Sequence, residues 1–212
     1  MSISIVPIGK CFAGEVSGVD LRRPLSAKTV AAIDSGMGEY AVLVFRGQDI
    51  NDEEQLAFSR ALGPIESSIG GNITRLDQRR LSTDIADVSN LDQNQNIYAR
   101  DDRRRLFNLG NRLWHSDSSF RAIPAKYSLL SARSIPADGP NTEYADMRAA
   151  YDTLDDKIKA EVEGLICEHS LMYSRGQLGF TDFTEEEQQA FAPVRQVLDR
   201  KSTRLNSSHT SI

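Results

Sequence analysis

The stretch from Ser26 to Gly63 constrains this chain more than any other. Ser26 has the side chain of a helix N-cap, and Val30, Ile33 and Met37 follow on one helical face as far as Gly38. Ala41-Val-Leu-Val-Phe45 comes next, a continuous apolar and β-branched run that predicts a strand buried on both faces. Asn51 with Glu54 three residues later makes a capping-box pattern, using Asn in place of Ser or Thr. It stands ahead of Leu56, Phe58, Ala61 and Leu62, and Gly63-Pro64 stops that second helix. Upstream, Ile3, Ile5 and Ile8 alternate as a first strand, and Phe12 to Leu21 reads as a second that ends in a turn.

Beyond Gly63 the pattern weakens. Residues 67–105 are polar, rich in Gly and Asn, and broken by one short strand candidate at Ile85 to Val88; long segments of this kind cover functional sites, so a substrate-covering loop is expected. Tyr127 to Ala132 reads as a strand, then a Pro-Gly turn leads to another at Asn141 to Tyr144. Met147, Tyr151 and Leu154, then Ile158, Val162 and Leu165, predict two amphipathic helical pieces. Leu165 to Leu171 predicts a short strand, and Thr184 with Glu187 caps an acidic helix. There is no internal repeat.

With 212 residues, 40% apolar and 26% charged, the chain suits one soluble globular domain. Its net charge of -5 argues against a broad nucleic-acid surface, which needs clustered cations. The basic run Arg103-Arg104-Arg105 directly follows Asp101-Asp102 and is expected in a solvated loop with local charge pairing. Cys11 and Cys167 are too few for a disulfide framework and lack metal-ligand spacing, so they read as small buried hydrophobes in a cytoplasmic protein. No apolar run approaches the ~18 residues of a membrane span, and the first residues do not read as a secretory signal. Trp114, the single Trp, is expected to pack in the core.

The sharpest motif is Trp114-His-Ser-Asp-Ser-Ser-Phe120. Ligands at i and i+2 of an extended segment point to the same side, so His115 and Asp117 can take adjacent corners of one metal. With a distant second His they would complete the two-His, one-carboxylate face of non-haem Fe(II) oxygenases. A His-x-Asp pattern is short enough to arise by chance, so the surrounding sequence must carry the assignment.

That surrounding sequence resembles the taurine and 2,4-dichlorophenoxyacetate dioxygenase family. The blocks are Ala13-Gly-Glu-Val-Ser-Gly-Val-Asp-Leu21, Val42-Leu-Val-Phe-Arg-Gly47, Leu56-Ala-Phe-Ser-Arg-Ala-Leu-Gly63, Trp114 to Phe120 and Asn141-Thr-Glu-Tyr-Ala-Asp-Met147. The resemblance spans about residues 5 to 198 and implies a mainly β jelly roll with flanking helices. It also implies Fe(II), with 2-oxoglutarate and O2 as co-substrates. His115 and Asp117 match the first two iron ligands, Thr142 the threonine that binds a carboxylate of 2-oxoglutarate, and Asn111 a residue near co-substrate and substrate.

Trp114 to Phe120 and Asp146 to Leu154 resemble the phenoxyacetate branch most closely. The implied reaction hydroxylates a small anionic substrate beside an ether oxygen, giving a phenol and glyoxylate. A basic group should meet the substrate carboxylate; Ser67 to Thr74 offers no Lys, and Arg75 and Arg80 are the nearby candidates in sequence. Alternatives are an alkylsulfonate or alkyl sulfate substrate, or a non-catalytic jelly-roll protein. A full-length form could assemble as a homo-oligomer.

The pattern breaks toward the end. The family's distal His ligand, and the Arg beyond it that pairs with 2-oxoglutarate, have no clear counterpart. His169 reads as a structural His or one near the site. His209 lies in a Ser/Thr-rich tail, residues 201–212, that reads as foreign to the domain. Residues 1–200 are therefore expected to form an incomplete jelly roll that holds iron loosely and is inactive alone.

Overall fold

In a computed structural model of the protein, residues 3–139 and 141–198 are described in full and 207–211 through their backbone. The first layer is a three-stranded sheet of β1 (Ser4–Pro7), β2 (Gly14–Ser17) and β3 (Leu43–Phe45). β1 runs antiparallel to β2 with Ile5 opposite Val16; β3 runs parallel to β2 with Val44 opposite Glu15. A parallel pair needs a crossover, and α1 (Ala27–Tyr40) supplies it. α2 (Asp52–Leu62) follows β3.

The helix ends form as their sequences predict. Ser26 Oγ accepts from Thr29 N at 3.2 Å. The Asn51 capping box closes in both directions: Asn51 Oδ1 accepts from Glu54 N at 2.9 Å, and Asn51 N donates to Glu54 Oε2 at 2.8 Å. Asp52, Glu53 and Glu54 add negative charge where the helix dipole is positive. Leu21, Ile33, Ile50 and Phe58 form the core of this layer, with Leu43 and Phe45 against it and Phe45 edge-on to Phe58 at 5.6 Å. β3 is an edge strand and its residues are half-buried, where burial on both faces was expected.

The second half is assembled from short pieces. They are α3 (Arg103–Asn108), a 3-10 helix (Leu109–Arg112), β4 (Thr142–Asp146), α4 (Met147–Asp152), α5 (Asp156–Val162), β5 (Ile166–His169), α6 (Leu171–Gly176), α7 (Glu185–Ala190), β6 (Val194–Val197) and β7 (Ser207–Ser211). β5 pairs antiparallel with β6, and β4 pairs antiparallel with β7. A second core of Phe107, Leu171, Phe180 and Phe191 gathers α3, α6 and the residues flanking α7, with Phe183 edge-on to Phe180 at 4.9 Å. Arg148 joins the two halves: Nη1 donates to Gly38 O at 2.6 Å at the end of α1, while Nη2 pairs with Asp146 at 2.7 Å.

Among the described residues helices are more extensive than strands, so the chain is mixed where a mainly β chain was expected. Tyr127 to Ala132 is not a strand. Tyr127 and Lys126 are anchored on Asp34 of α1, Arg133 on Ile50 O, and Leu129 packs on the first core, so its apolar residue serves the helices rather than a sheet. Ile85 to Val88 is not a strand either, because Ile85 N closes a turn on Ser82 O and Asp87 is taken up by Arg80. Arg103 to Arg105 is helical, not a loop, since Asp102 Oδ1 caps α3 by accepting from Arg104 N at 2.8 Å. Cys11 is exposed and Cys167 half-buried, so neither is the buried hydrophobe expected. Among the described residues, no helix is long and apolar enough to cross a membrane.

Candidate metal centre

The 3-10 helix delivers His115 from a buried anchor. Phe107 is almost wholly buried, and Leu113 N bonds back to Gly110 O at 3.2 Å before the chain becomes extended. His115 Nδ1 then lies 2.6 Å from Leu113 O. A carbonyl can only accept, so Nδ1 carries the hydrogen and, in the neutral ring, Nε2 carries the lone pair. That Nε2 faces Asp117 Oδ1 at 3.2 Å.

No regular strand carries the pair, where one was expected; a turn follows directly after it. Ser118 adopts a left-handed φ of 58° and its hydroxyl donates to Glu66 Oε1 at 2.8 Å. Arg121 N closes the turn on Ser118 O at 2.9 Å. Arg121 also reaches Glu66 at 3.0 Å and the carbonyls of Ser67 and Ile69, fastening the loop 66–71 beside the pair.

A lone pair and a carboxylate oxygen at this distance repel unless a positive species lies between them. A proton can do so, and the Asp117 hydrogen bond is the main reason that His115 is more basic than an ordinary imidazole, against the opposing effect of burial. A metal ion can do so too, and a backbone carbonyl holding the far imidazole N–H is the usual support for a ligating His. The donor set therefore fits two corners of a metal site. Among the described residues no group of three His, Cys, Asp or Glu converges, so a third protein ligand is not provided there.

β4 lies alongside. Tyr144 is kept protonated first by burial and then by the negative charge of Asp117. Thr142, two residues before it, shares its face of the strand by the alternation of β residues and is exposed at the strand's start. Asn111 sits on the 3-10 helix, where its Oδ1 accepts from Arg175 Nη2 at 3.0 Å. Arg175 is buried, its guanidinium stacked 4.7 Å over Phe107, and burial alone lowers its pKa to about 10. A Cβ at Gly110 would fall inside this guanidinium.

Other candidates lie elsewhere. Arg75 is exposed and pairs with Asp77; Arg80 is held by both oxygens of Asp87 at 2.7 and 2.9 Å, so its donors are already engaged. His169 Nε2 lies 3.2 Å from Cys167 Sγ on β5. The side chain of His209 lies outside the described residues; its backbone pairs with Tyr144 in β7. Trp114 is 55% exposed, so the expected core packing does not occur. Sequence reading missed Arg175 and Tyr144. The available signal for Arg175 was its place four residues after Leu171, on the apolar face of a helix capped by Ser170.

A family model described as taurine catabolism dioxygenase TauD, TfdA family, matches residues 4–209. The alpha-ketoglutarate-dependent 2,4-dichlorophenoxyacetate dioxygenase of Cupriavidus pinatubonensis is 41% identical over 203 residues, covering 94% of this chain and 69% of that protein. The (S)-phenoxypropionate/alpha-ketoglutarate-dioxygenase of Sphingobium herbicidovorans is 34% identical over 180 residues, covering 84% of this chain and 57% of its own length. Among solved structures, AAD-2 in complex with Mn(II) and N-oxalylglycine superposes with a TM-score of 0.92 at 53% identity, covering 100% of this chain and 73% of that one. The chain thus spans roughly two thirds of the length of the proteins it matches.

Proposed function

Because this chain belongs to the taurine catabolism dioxygenase TauD, TfdA family, we propose that it carries the iron- and 2-oxoglutarate-binding face of an aryloxyalkanoate dioxygenase. The observation that carries the reading is the His115 Nε2 lone pair aimed at Asp117 Oδ1 across 3.2 Å, with Nδ1–H tied to Leu113 O. His115 and Asp117 would hold the metal, which when bound couples oxidative decarboxylation of 2-oxoglutarate to oxidation of a substrate C–H bond.

The chain's own residues do the placing. Leu113 O fixes the tautomer, and the Ser118 turn, pinned by Glu66, sets the direction of Asp117. Thr142 offers a hydroxyl to a 2-oxoglutarate carboxylate, on the strand face that Tyr144 places toward Asp117. Asn111 is read as a residue near co-substrate and substrate, by the resemblance that first marked it. Arg80 is already paired with Asp87, while Arg75 makes only an exposed pair with Asp77. Hydroxylation of an aryloxyacetate beside its ether oxygen gives a hemiacetal that collapses to a phenol and glyoxylate. Similarity to proteins named for 2,4-dichlorophenoxyacetate and phenoxypropionate favours this substrate class over alkylsulfonates. The three small sheets are read as parts of a jelly roll.

Binding of Mn(II) and 2-oxoglutarate, followed by Trp114 fluorescence, tests the site. His115→Ala and Asp117→Ala should each weaken metal binding by about 100-fold or more while leaving the melting temperature nearly unchanged, because both side chains are partly exposed. Wild-type protein that binds metal no better than these variants would refute the assignment. Succinate release scored across phenoxyacetate, phenoxypropionate, taurine and an alkyl sulfate would then rank the substrates.

A further inference from the structure

Arg175 is an anomaly beside this site. It is nine-tenths buried, and among the described residues no carboxylate pairs with it, although a buried charge is costly without a counter-ion. Its Nε is buried with no partner. The space it occupies exists because residue 110 has no side chain.

The one hydrogen bond its guanidinium makes among the described residues decides how Asn111 is oriented. A guanidinium has donors and no acceptor, so at 3.0 Å it can hold only the carbonyl end of the Asn111 amide. The amide end, Nδ2–H2, is thereby turned away from Arg175. An Asn free to flip could present either end.

We propose that Arg175 is a positioning residue that locks the Asn111 amide with its donor end outward, so that Asn111 Nδ2–H, backed by the buried guanidinium, receives a carboxylate oxygen of a bound ligand. This rests on the dioxygenase reading above and goes beyond it by assigning Arg175. Both 2-oxoglutarate and an aryloxyalkanoate carry such a carboxylate.

Two substitutions separate the parts. Asn111→Asp gives Arg175 a carboxylate partner but replaces the outward donor with an oxygen. Arg175→Gln keeps a donor for Asn111 Oδ1 and removes the charge. Dissociation constants of 2-oxoglutarate and of phenoxyacetate would be read from Trp114 fluorescence on the Mn(II)-loaded chain, with melting temperature alongside. Asn111→Asp should melt no lower than wild type yet bind one carboxylate ligand about 10-fold to 100-fold more weakly, the loss of a hydrogen bond to a charged group. Arg175→Gln should lose less affinity for that same ligand than Asn111→Asp does. Whichever ligand is weakened names the source of the carboxylate.

Unchanged affinity for both ligands in a folded Asn111→Asp chain overturns the assignment, as does a lowered melting temperature with affinities intact, which would make the pair merely structural. Either of these leaves the dioxygenase reading standing. A wild-type chain that binds no 2-oxoglutarate in the presence of Mn(II) removes that reading, and this assignment with it.

Discussion

The two hydrophobic clusters are built by opposite means. The first, Leu21, Ile33, Ile50 and Phe58, lies within the first 62 residues: Ile33 and Phe58 sit on two locally capped helices, and Leu21 and Ile50 on the segments just before them. The second, Phe107, Leu171, Phe180 and Phe191, collects short helices and loop residues from widely separated parts of the chain, and arginines brace its surroundings. Arg103 reaches Glu187 and the carbonyl of Asp182; Arg175 lies over Phe107 and reaches Asn111. One region takes its shape from periodicity, the other from long-range donors meeting carbonyls and carboxylates. The candidate metal pair hangs from the second.

The sharpest way to break this contrast is to empty each core. Phe107→Ala should cost about 4 kcal/mol and Ile33→Ala about 3 kcal/mol, typical of large-to-small changes at well-packed sites. In urea, Phe107→Ala should lose its Trp114 signal before its far-ultraviolet helix signal, because α1 and α2 rest on the other cluster. Coincident transitions would merge the two regions into one cooperative unit.

A smaller effect tests the joint between them. Asp146 is buried, and its hydrogen bonds from Arg148 are the main reason that its carboxyl lies below the ordinary carboxylate range, against the opposing effect of burial. A depressed folded-state pKa contributes stability that is present above the unfolded carboxylate value and disappears as pH falls through the folded one. Asp146→Asn should cost about 2 to 3 kcal/mol near neutrality, toward the lower end for a broken buried pair, because Asn still caps α4. It should also flatten the acid limb of the stability curve. An acid limb as steep as that of wild type would place the sensitivity elsewhere, with Glu187 under Arg103 the next group to examine.

The smallest expected change lies in the loop 67–102. Asp87→Asn, which weakens the bidentate Arg80 pair, should cost about 1 kcal/mol and speed amide exchange locally, leaving the two cores unaffected. Exchange that quickened equally around Ile33 would show that the loop is not a separable unit.

This contrast also explains what could be read from sequence. Ser26, Asn51 with Glu54, and Thr184 with Glu187 announced their helices because a cap is a contact across three residues. His115 and Asp117 were legible as a spacing, but the turn that follows them is held by Glu66, far away in sequence. Arg175 carried only its place on an apolar helix face, since what distinguishes it is the set of neighbours supplied by Phe107, Gly110 and Asn111. Tyr127 to Ala132 misled because extended chain packed across helices shows the same alternation as a strand.

Gly110 has a consequence for engineering. Its backbone is not in the left-handed region, so by dihedral angle alone alanine would fit and would restrict the unfolded chain, the change that ordinarily gains about 0.4 to 1 kcal/mol. Here the methyl group would displace a guanidinium into a neighbourhood already filled by Phe107. The hydrogen atom at that position works as reserved volume, and a stabilisation strategy guided by chain entropy would fail at the residue where it looks safest.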